Sequence, residues 1–281
     1  MQIKKYLFCN CALEIKLNEP ILQEKYFCRF LDEFETPDYS FEVIKTDFLP
    51  PKTGECIFDS GENSVYIDGA VEKNYSAFLK GKNQFSVDFA CRVNNGRLYI
   101  SEAHQLNEHS VFEGLRLPEL LLCKGIGMLH CSFIEYEGQA ILFAGDKQVG
   151  KSTQAALWQK YKKTFTVNGD RAGLYFKDNV LFAGGIPYCG MSDICENKNM
   201  PVRAIICLSQ GAENTIKRLS AFDSFISLLG QFSYNTWDKN AVNSVTALVS
   251  SIVENVPIFA YSCRNDESAV SFLEEFLKKE A

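Results

Sequence analysis

A segment near the middle of the chain has the composition and spacing of a phosphate-binding loop. Its sequence, Gly145-Asp146-Lys147-Gln148-Val149-Gly150-Lys151-Ser152, fits the pattern GxxxxGK(S/T) without a gap. Glycines at the two ends of such a loop allow consecutive backbone N–H groups to turn inward and surround an anion at a helix N-terminus. The Lys151 amine could then reach the β- and γ-phosphates of ATP, and the Ser152 hydroxyl could bind Mg²⁺.

The sequence on either side of this segment predicts the elements that a phosphate loop requires. QAILFAG (139–145) is a continuous apolar run, which is typical of a buried strand, and KSTQAALWQKYKK (151–163) predicts a helix. Four residues are predicted to share one face of that helix: Thr153, Ala156, Leu157 and Tyr161. We therefore expect residues 145–153 to contact the nucleotide. The alternative is a glycine-bounded turn that carries a surface lysine.

Two further residues have the chemistry of a phosphoryl-transfer site. Asp170 follows TFTVN (164–168), which we predict to be a strand beside the strand of the loop. A carboxylate there could bind Mg²⁺ together with Ser152, or take the proton from an attacking hydroxyl. His130 could orient or deprotonate the acceptor, because histidine titrates near neutrality. The alternatives are a solvent-facing aspartate in a turn and a core histidine with satisfied nitrogens.

Four arginines could meet a phosphate group, although ordinary salt bridges would explain each of them equally well: Arg171, Arg203, Arg218 and Arg264. Arg203 begins an apolar run, VRAIICLS (202–209), that follows the glycine–proline segment GGIPYCG. We expect it to point toward the end of the sheet where substrates enter.

The remaining elements suggest two domains. Residues 1–108 are predicted to be β-rich, with a short helix at 72–83 and a hairpin turn at 94–96, and residues 109–281 to be α/β. In the second part we predict a helix over 111–127, a hairpin at Asp178-Asn179, and helices over 238–256 and 265–279. Asn265 is expected to cap the last of these.

Composition excludes several classes of protein. The chain has 281 residues, of which 46% are hydrophobic, and a net charge of −6, which argues against a broad nucleic-acid interface. No apolar run is long enough to cross a membrane, and the lysine-led N-terminus is interpreted as a strand, since Asn10 and Glu14 interrupt its apolar stretch. The eleven cysteines contain no CxxC pair and are expected to be buried free thiols, with half a metal site at Cys9 and Cys11 as the alternative. A cytoplasmic location is expected.

The stretch from Leu129 to the C-terminus resembles the HPr kinase-like family, whose catalytic domain is related to phosphoenolpyruvate carboxykinases. The resemblance rests on HCSFIEYEGQAILFAGDKQVGKST, TVNGDRAGL, GGIPYCG and VPIFAYSCRNDESAVSFLEEF, with His130 placed 21 positions before Lys151. The family usually has Ser and Gly at the positions of Lys147 and Gln148, and an acidic pair where this chain has Gly169-Asp170. The resemblance implies an α/β kinase domain with this phosphate loop, with Lys151, Asp170 and His130 as catalytic residues.

The function expected from these observations is transfer of the ATP γ-phosphoryl group to a hydroxyl, with Mg²⁺, the acceptor being a serine of a peptide or protein. A homo-oligomer is compatible with the sequence. The alternative is an ATP-binding accessory protein without catalysis, and the single carboxylate at Asp170 favours it slightly. A switch GTPase is disfavoured because the chain has no NKxD motif, and a carboxykinase because the chain is too short.

Overall fold

The structure is a computed structural model that describes residues 2–22, 25–61, 63–69, 71–76, 85–88, 95–101 and 106–280. The chain divides into two compact units, Met1–Lys124 and Gly125–Ala281. This division falls later than the boundary expected after residue 108. The reason is that the helical segment after residue 107 packs into the core of the first unit, where Phe112 contacts the rings of Tyr6, Phe8 and Phe27.

The first unit is built on one eight-stranded sheet with the strand order β1-β2-β3-β8-β7-β6-β5-β4. Its strands are β1 (Gln2–Phe8), β2 (Cys11–Leu17), β3 (Tyr39–Thr46), β4 (Glu55–Asp59), β5 (Asn63–Asp68), β6 (Val71–Ser76), β7 (Phe85–Asp88) and β8 (Asn95–Ser101). The pairs β2–β3 and β3–β8 are parallel, and the others are antiparallel. The N-terminal segment is therefore a pair of strands, joined by a turn in which Cys9 and Asn10 have positive φ.

Two short helices, α1 (Glu108–Gly114) and α2 (Leu117–Cys123), take the place of the single helix predicted over 111–127. The break occurs at Arg116, which has a φ of 56° and precedes Pro118 in the first turn of α2. A proline at that position starts a helix and does not extend the preceding one. Glu108 is fully buried at the start of α1 and accepts hydrogen bonds from the Lys4 amine and the Tyr6 hydroxyl.

The structure also bears on three other expectations from the sequence: a helix, a turn and the state of the cysteines. The helix predicted at 72–83 is wrong over 71–76, which forms β6, and its remainder lies outside the described residues. The turn predicted at 94–96 is described only from Asn95, the first residue of β8. Nine of the ten cysteines that the structure describes are free thiols, but Cys28 and Cys56 are exposed and Cys123 is disulfide-bonded, so the expectation of buried free thiols is wrong at these three positions.

The second unit contains the 145–152 loop and all the predicted site residues. Its strands are β9 (Gly127–Tyr136), β10 (Gln139–Ala144), β11 (Phe165–Asn168), β12 (Arg171–Lys177), β13 (Val180–Gly184), β14 (Asn199–Gln210), β15 (Thr215–Arg218), β16 (Phe232–Ser233) and β17 (Ile258–Cys263). Its helices are α3 (Lys151–Lys162), α4 (Ala221–Leu229), α5 (Lys239–Asn255) and α6 (Glu267–Lys279). The described chain is thus a mixed α/β structure.

Two long strands, β9 and β14, each pair with different strands in their first and second halves. The first half of β9 pairs with β12, and its second half pairs with β10 and β11. Likewise β14 pairs with β13 at its start and then with β10 and β17. The pairs β10–β14 and β14–β17 are parallel, and the remaining pairs of this unit are antiparallel. The sheet is therefore mixed, and most of its pairs are antiparallel.

Helix α3 packs on β9, β10 and β11 and against α6. Its buried residues are Lys151, Gln154, Ala155 and Trp158. The face predicted from the apolar residues is half right, because Leu157 and Tyr161 pack against the core, whereas Thr153 and Ala156 are exposed. The helix turns two polar side chains inward, and Gln154 donates to the sulfur of Cys263 and to the Arg264 carbonyl.

Local signals elsewhere in the unit predict the elements correctly. The hairpin at Asp178-Asn179 joins β12 to β13, and both of its turn residues have positive φ. Helices form where they were predicted at 238–256 and 265–279, but the side chain that caps α6 belongs to Asp266 and not to Asn265. None of the helices in the described residues is long and apolar enough to span a membrane.

Replacing Trp158 by Ala is expected to lower the free energy of unfolding of the second unit by about 3–5 kcal/mol. Trp158 is fully buried, and its ring lies 5.1 Å from that of Tyr136 and 6.4 Å from that of Phe143. Denaturation followed by the fluorescence of Trp237, the other tryptophan of the chain, measures this change. The exposed neighbour Gln159→Ala is the control, and equal stabilities of the two variants would contradict the packing described here.

Candidate functional site

The 145–152 loop leaves the carboxyl end of β10 and enters α3 directly. Three of its residues have positive φ: Gly145 at 133°, Gln148 at 67° and Gly150 at 112°. Gly145 also lies close to the neighbouring strand, since a Cβ atom there would be 3.1 Å from the Leu208 carbonyl oxygen. The two glycines are therefore required by backbone conformation and, at position 145, by the close approach of β14.

The N-terminus of α3 is open toward this loop. Gly150 occupies the cap position and provides no side-chain hydrogen bond, and the first backbone bond of the helix runs from Gln154 N to Gly150 O. The amides of the first turn consequently have no partner within the helix. Such amides, together with the positive end of the helix dipole, favour an anion.

The Lys151 side chain curls back over the loop. Its amine donates to the carbonyl oxygens of Gly145 and Asp146, both at 2.9 Å, and the residue is only 8% exposed. Burial lowers the pKa of this amine, while nearby Cys131, Asp170 and Asp146 act to raise it. The loop therefore holds a desolvated positive charge beside the open end of the helix.

Asp170 follows β11, as expected, in the turn between β11 and β12. The expectation that β11 lies beside β10 is wrong, because β11 pairs with β9, which occupies the position next to β10. The turn nevertheless reaches the site, since it runs alongside β9, where the Cys131 amide donates to the Asp170 carbonyl at 3.0 Å. This contact brings the Asp170 side chain beside the residue that precedes Cys131.

That residue is His130, and it forms a small charged cluster with Asp170 and Arg171. His130 Nε2 lies 3.3 Å from Asp170 Oδ1, and Arg171 Nε lies 3.2 Å from Asp170 Oδ2. Arg171 is held in turn by a 2.6 Å hydrogen bond to the Ser233 hydroxyl. Desolvation, followed by the charge of Lys151, lowers the pKa of His130 despite the opposing effect of Asp170. The imidazole is therefore neutral at pH 7.

Ser152 and Asp170 approach each other through Gly169. The Ser152 hydroxyl donates to the Gly169 carbonyl at 3.4 Å, and the buried Ser132 hydroxyl donates to the same oxygen at 3.0 Å. A hydroxyl and a carboxylate on either side of one residue fit the donor set of Mg²⁺, which commonly takes one or two carboxylates and completes its shell with phosphate and water oxygens. The described residues contain no cluster of three or more His, Cys, Asp or Glu side chains that could hold a metal alone.

Asn168 is a site residue that sequence analysis missed. It is fully buried, and its side-chain oxygen accepts hydrogen bonds from the amides of Asp170 and Arg171, each at 2.9 Å. Its amide nitrogen donates to the carbonyls of Ile186 and Tyr188. Asn168 thus shapes the turn that carries Asp170 and ties it to the glycine–proline segment. An Asn before Gly-Asp is a recognised turn signal and could have pointed to it.

Gln231 and Gly190 were also missed. The Gln231 carbonyl accepts the His130 amide at 2.9 Å, and its side chain donates to Asp146 Oδ1 at 3.4 Å. Gly190 lies against the predicted catalytic carboxylate, since a Cβ there would be 2.8 Å from Asp170 Cγ. No local sequence pattern marks either residue, because each is far along the chain from the site residues that it contacts.

The remaining predicted residues fall into two groups. Lys147, Gln148 and Thr153 are exposed on the loop and the first turn of α3, and the Gln148 carbonyl accepts from Gln210 Nε2 at 3.3 Å. Arg203 and Arg218 do not approach the loop, which corrects the expectation for Arg203. They lie at the amino ends of the parallel strands, whereas the loop follows the carboxyl end of β10.

Comparisons with known proteins add little to this geometry. No model of a known protein family matches the chain, and no curated protein matches it. Among solved structures, an HPr(Ser) kinase/phosphatase from Coxiella burnetii is similar at 16% identity and a TM-score of 0.32, over 55% of this chain and 99% of that chain. This is a weak structural likeness to a kinase/phosphatase, too weak to carry an argument about the present chain.

Replacing Asn168 by Ala should lower the free energy of unfolding by about 1–3 kcal/mol, because it leaves the half-buried amides of Asp170 and Arg171 without their acceptor. Trp237 fluorescence in denaturant measures the loss. The exposed Asn243→Ala on α5 is the matched control. An Asn168→Ala protein as stable as this control would show that the turn does not depend on the Asn168 side chain.

The pKa of His130 is expected to lie below the ordinary histidine value of about 6.5 in the folded protein. Because the unfolded chain binds this proton more readily, the stabilising effect is complete above pH 6.5 and is lost as pH falls through the folded pKa. Removing the Lys151 charge should raise the His130 pKa, and removing the Asp170 charge should lower it further. NMR titration of the three histidines, assigned with His130→Asn, measures both shifts. Shifts of the same sign in the two variants would contradict the proposed arrangement.

Proposed function

We propose that the chain is a phosphotransferase that moves the γ-phosphoryl group of ATP, with Mg²⁺, to a hydroxyl, the acceptor being a serine of a peptide or protein. The observation that carries the proposal is the convergence of two groups at the start of α3. One is the desolvated Lys151 amine at the open helix end, and the other is the Asp170 carboxylate held between His130 and Arg171. Phosphoryl transfer needs positioning and charge neutralisation more than covalent chemistry, and these residues supply both.

Each residue has a distinct role in this proposal. The amides of the 145–152 loop and of the first turn of α3 would bind phosphate oxygens, and Lys151 would neutralise charge on them. Mg²⁺, when bound by Ser152 and Asp170, would supply further neutralisation of phosphate charge. Asp170 could instead accept the proton of the acceptor hydroxyl at a carboxylate oxygen, with the neutral His130 imidazole orienting that carboxylate.

One observation favours a second candidate, an ATP-binding protein without catalysis. Both carboxylate oxygens of Asp170 already have a partner, His130 on one side and Arg171 on the other. A base that is engaged in this way must release one contact before it can take a proton. The two candidates make the same prediction for ATP binding and differ only in transfer.

Asp170→Asn is expected to slow phosphoryl transfer by about 10²–10⁴-fold while changing the affinity for ATP much less, because the loop amides and Lys151 remain. Lys151→Ala should weaken ATP binding by about tenfold or more, since it removes a charge-assisted hydrogen bond. Calorimetry with Mg²⁺–ATP measures binding, and mass spectrometry of serine-containing peptides incubated with ATP measures transfer on the same preparation.

Lys160→Ala, at an exposed position on the same helix, is the control and should change neither quantity. ATP binding by the parent without transfer to any peptide would favour the non-catalytic candidate. If the Asp170→Asn variant transferred the phosphoryl group at the parent rate, Asp170 would have no catalytic role and would serve only in the turn. An absence of ATP binding in the parent would remove both candidates.

A further inference from the structure

A cavity lies in the second unit, Gly125–Ala281, away from the 145–152 loop. Its volume is about 510 Å³, within the usual range of small-molecule sites. The side chains that line it include four charged residues over an apolar floor. The charged residues are Glu137, Arg203, Arg218 and Glu280, and the floor includes Val202, Pro257, Phe259 and Leu277.

The cavity is at the opposite end of the parallel strands from the 145–152 loop. Gln139 and Val202 stand at the start of the β10–β14 pairing, and Pro257 precedes β17. The loop begins at Gly145, after the last residue of β10, so roughly 20 Å of extended strand separates it from Gln139. A nucleotide on the loop would therefore not fill this cavity.

Arg203 is fixed in the wall of the cavity. It is the extra residue of a β-bulge, since Ala140 pairs with Val202 and Ile141 with Ala204. Its guanidinium donates to Glu137 Oε2 and to the Leu277 carbonyl, both at 2.9 Å, and lies over the Tyr136 ring. Glu137 thus compensates its charge, while the guanidinium keeps further N–H donors.

Arg218 and Glu280 have opposite charges, and neither is compensated within the described residues. Neither side chain has an ion pair or hydrogen bond there, and they are not paired with each other, although both line the cavity. Arg218 stands opposite Phe259 in the β15–β17 pairing, and Glu280 follows the last turn of α6. The negative end of the α6 dipole adds to the charge of Glu280 and favours a cation on that side.

We propose that this cavity binds a small zwitterion with an apolar body: an apolar α-amino acid or a peptide of two or three residues. The ligand carboxylate binds Arg218 and the free donors of Arg203, and the ligand ammonium binds Glu280 at the end of α6. The apolar side chain lies on Val202, Pro257 and Phe259. A ligand with both charges pairs with Arg218 and Glu280 at once, whereas a ligand with one charge only would use just one of these two exposed side chains.

Calorimetry on the full chain tests the proposal with a ligand series in which only the charges change. Leucine and leucyl-leucine carry both charges, leucine amide carries only the ammonium, N-acetylleucine carries only the carboxylate, and N-acetylleucine amide carries neither. The zwitterions are expected to bind at least about tenfold more tightly than the singly charged compounds, and the uncharged compound most weakly. Equal binding of all members, or no binding of the zwitterions at millimolar concentration, would overturn the proposal.

Variants then locate the site. Arg218→Gln and Glu280→Gln should each weaken zwitterion binding by about tenfold or more, whereas Lys217→Gln, on the opposite face of β15, should leave it unchanged. The charge-exchanged double variant Arg218→Glu with Glu280→Arg should regain part of the affinity, which a merely misfolded variant would not do. Lys151→Ala should retain zwitterion binding, so this result is independent of the phosphotransferase proposal. Binding that survives both single variants would place the ligand elsewhere and contradict the assignment.

Discussion

A single backbone hydrogen bond marks the position on which the arrangement of the site depends. It runs from the Cys131 amide to the Asp170 carbonyl, at the point where β9 changes partners. Residues 127–130 of β9 pair with β12, and residues 131–136 pair with β10. The turn that joins β11 to β12 runs alongside β9 at this point, since Asn168 pairs with Phe133 before it and Arg171 pairs with His130 after it, and so it places Asp170 beside His130. The same strand holds its other edge against β10, and the loop that follows β10 therefore ends close to that turn.

The conformation of the turn between β11 and β12 depends on the buried side-chain amide of Asn168 and not on apolar packing. A backbone segment that passes between two groups of strands cannot satisfy all its polar groups through ladder bonds. Asn168 supplies the missing partners, with one oxygen for two amides and one NH₂ group for two carbonyls. Every hydrogen-bonding direction of the side chain is used in a fully buried position, so Asp, Gln or Ser could not replace it without leaving a polar group unsatisfied.

The electrostatics of the site follow from the same placement of the turn beside β9. Lys151 enters a region that Cys131 and Asp170 also border, so a largely buried positive charge lies near His130 and disfavours a second one there. The Asp170 carboxylate faces the charges of Lys151 and Arg171, while His130 stays neutral, and Asp146 is a second carboxylate near Lys151. An anion at the 145–152 loop would therefore be favoured by the open amides and the dipole of α3, and not by an excess of side-chain charge.

The elements whose formation depends on residues close together in the chain were predicted correctly from the sequence. Apolar run length and glycine spacing located β10 and α3, and the polar turn residues Asp178-Asn179 located the β12–β13 hairpin. Local patterns failed where contacts between residues far apart in the sequence determine which face is buried or which strands pair. The buried face of α3 includes Lys151 and Gln154, polar residues whose partners lie on the loop and after β17, so an apolar pattern locates this face only in part. The partner of β11 could not be inferred either, since nothing in 164–168 distinguishes a place beside β9 from one beside β10.

Arg203 shows most clearly what parallel pairing adds to the sequence. Its position after a glycine–proline segment suggested the substrate side, but β14 is parallel to β10, and a residue near the start of one strand lies at the start of the other. Loops that follow parallel strands therefore gather at one edge, as Gln210 and the 145–152 loop do, and residues that open those strands gather at the opposite edge. Gln139, Arg203 and Pro257 share that second edge for this reason alone. Because of the bulge at Arg203, its side chain faces the cavity wall and not the core. This is a consequence of strand register, and no local pattern in the sequence predicts it.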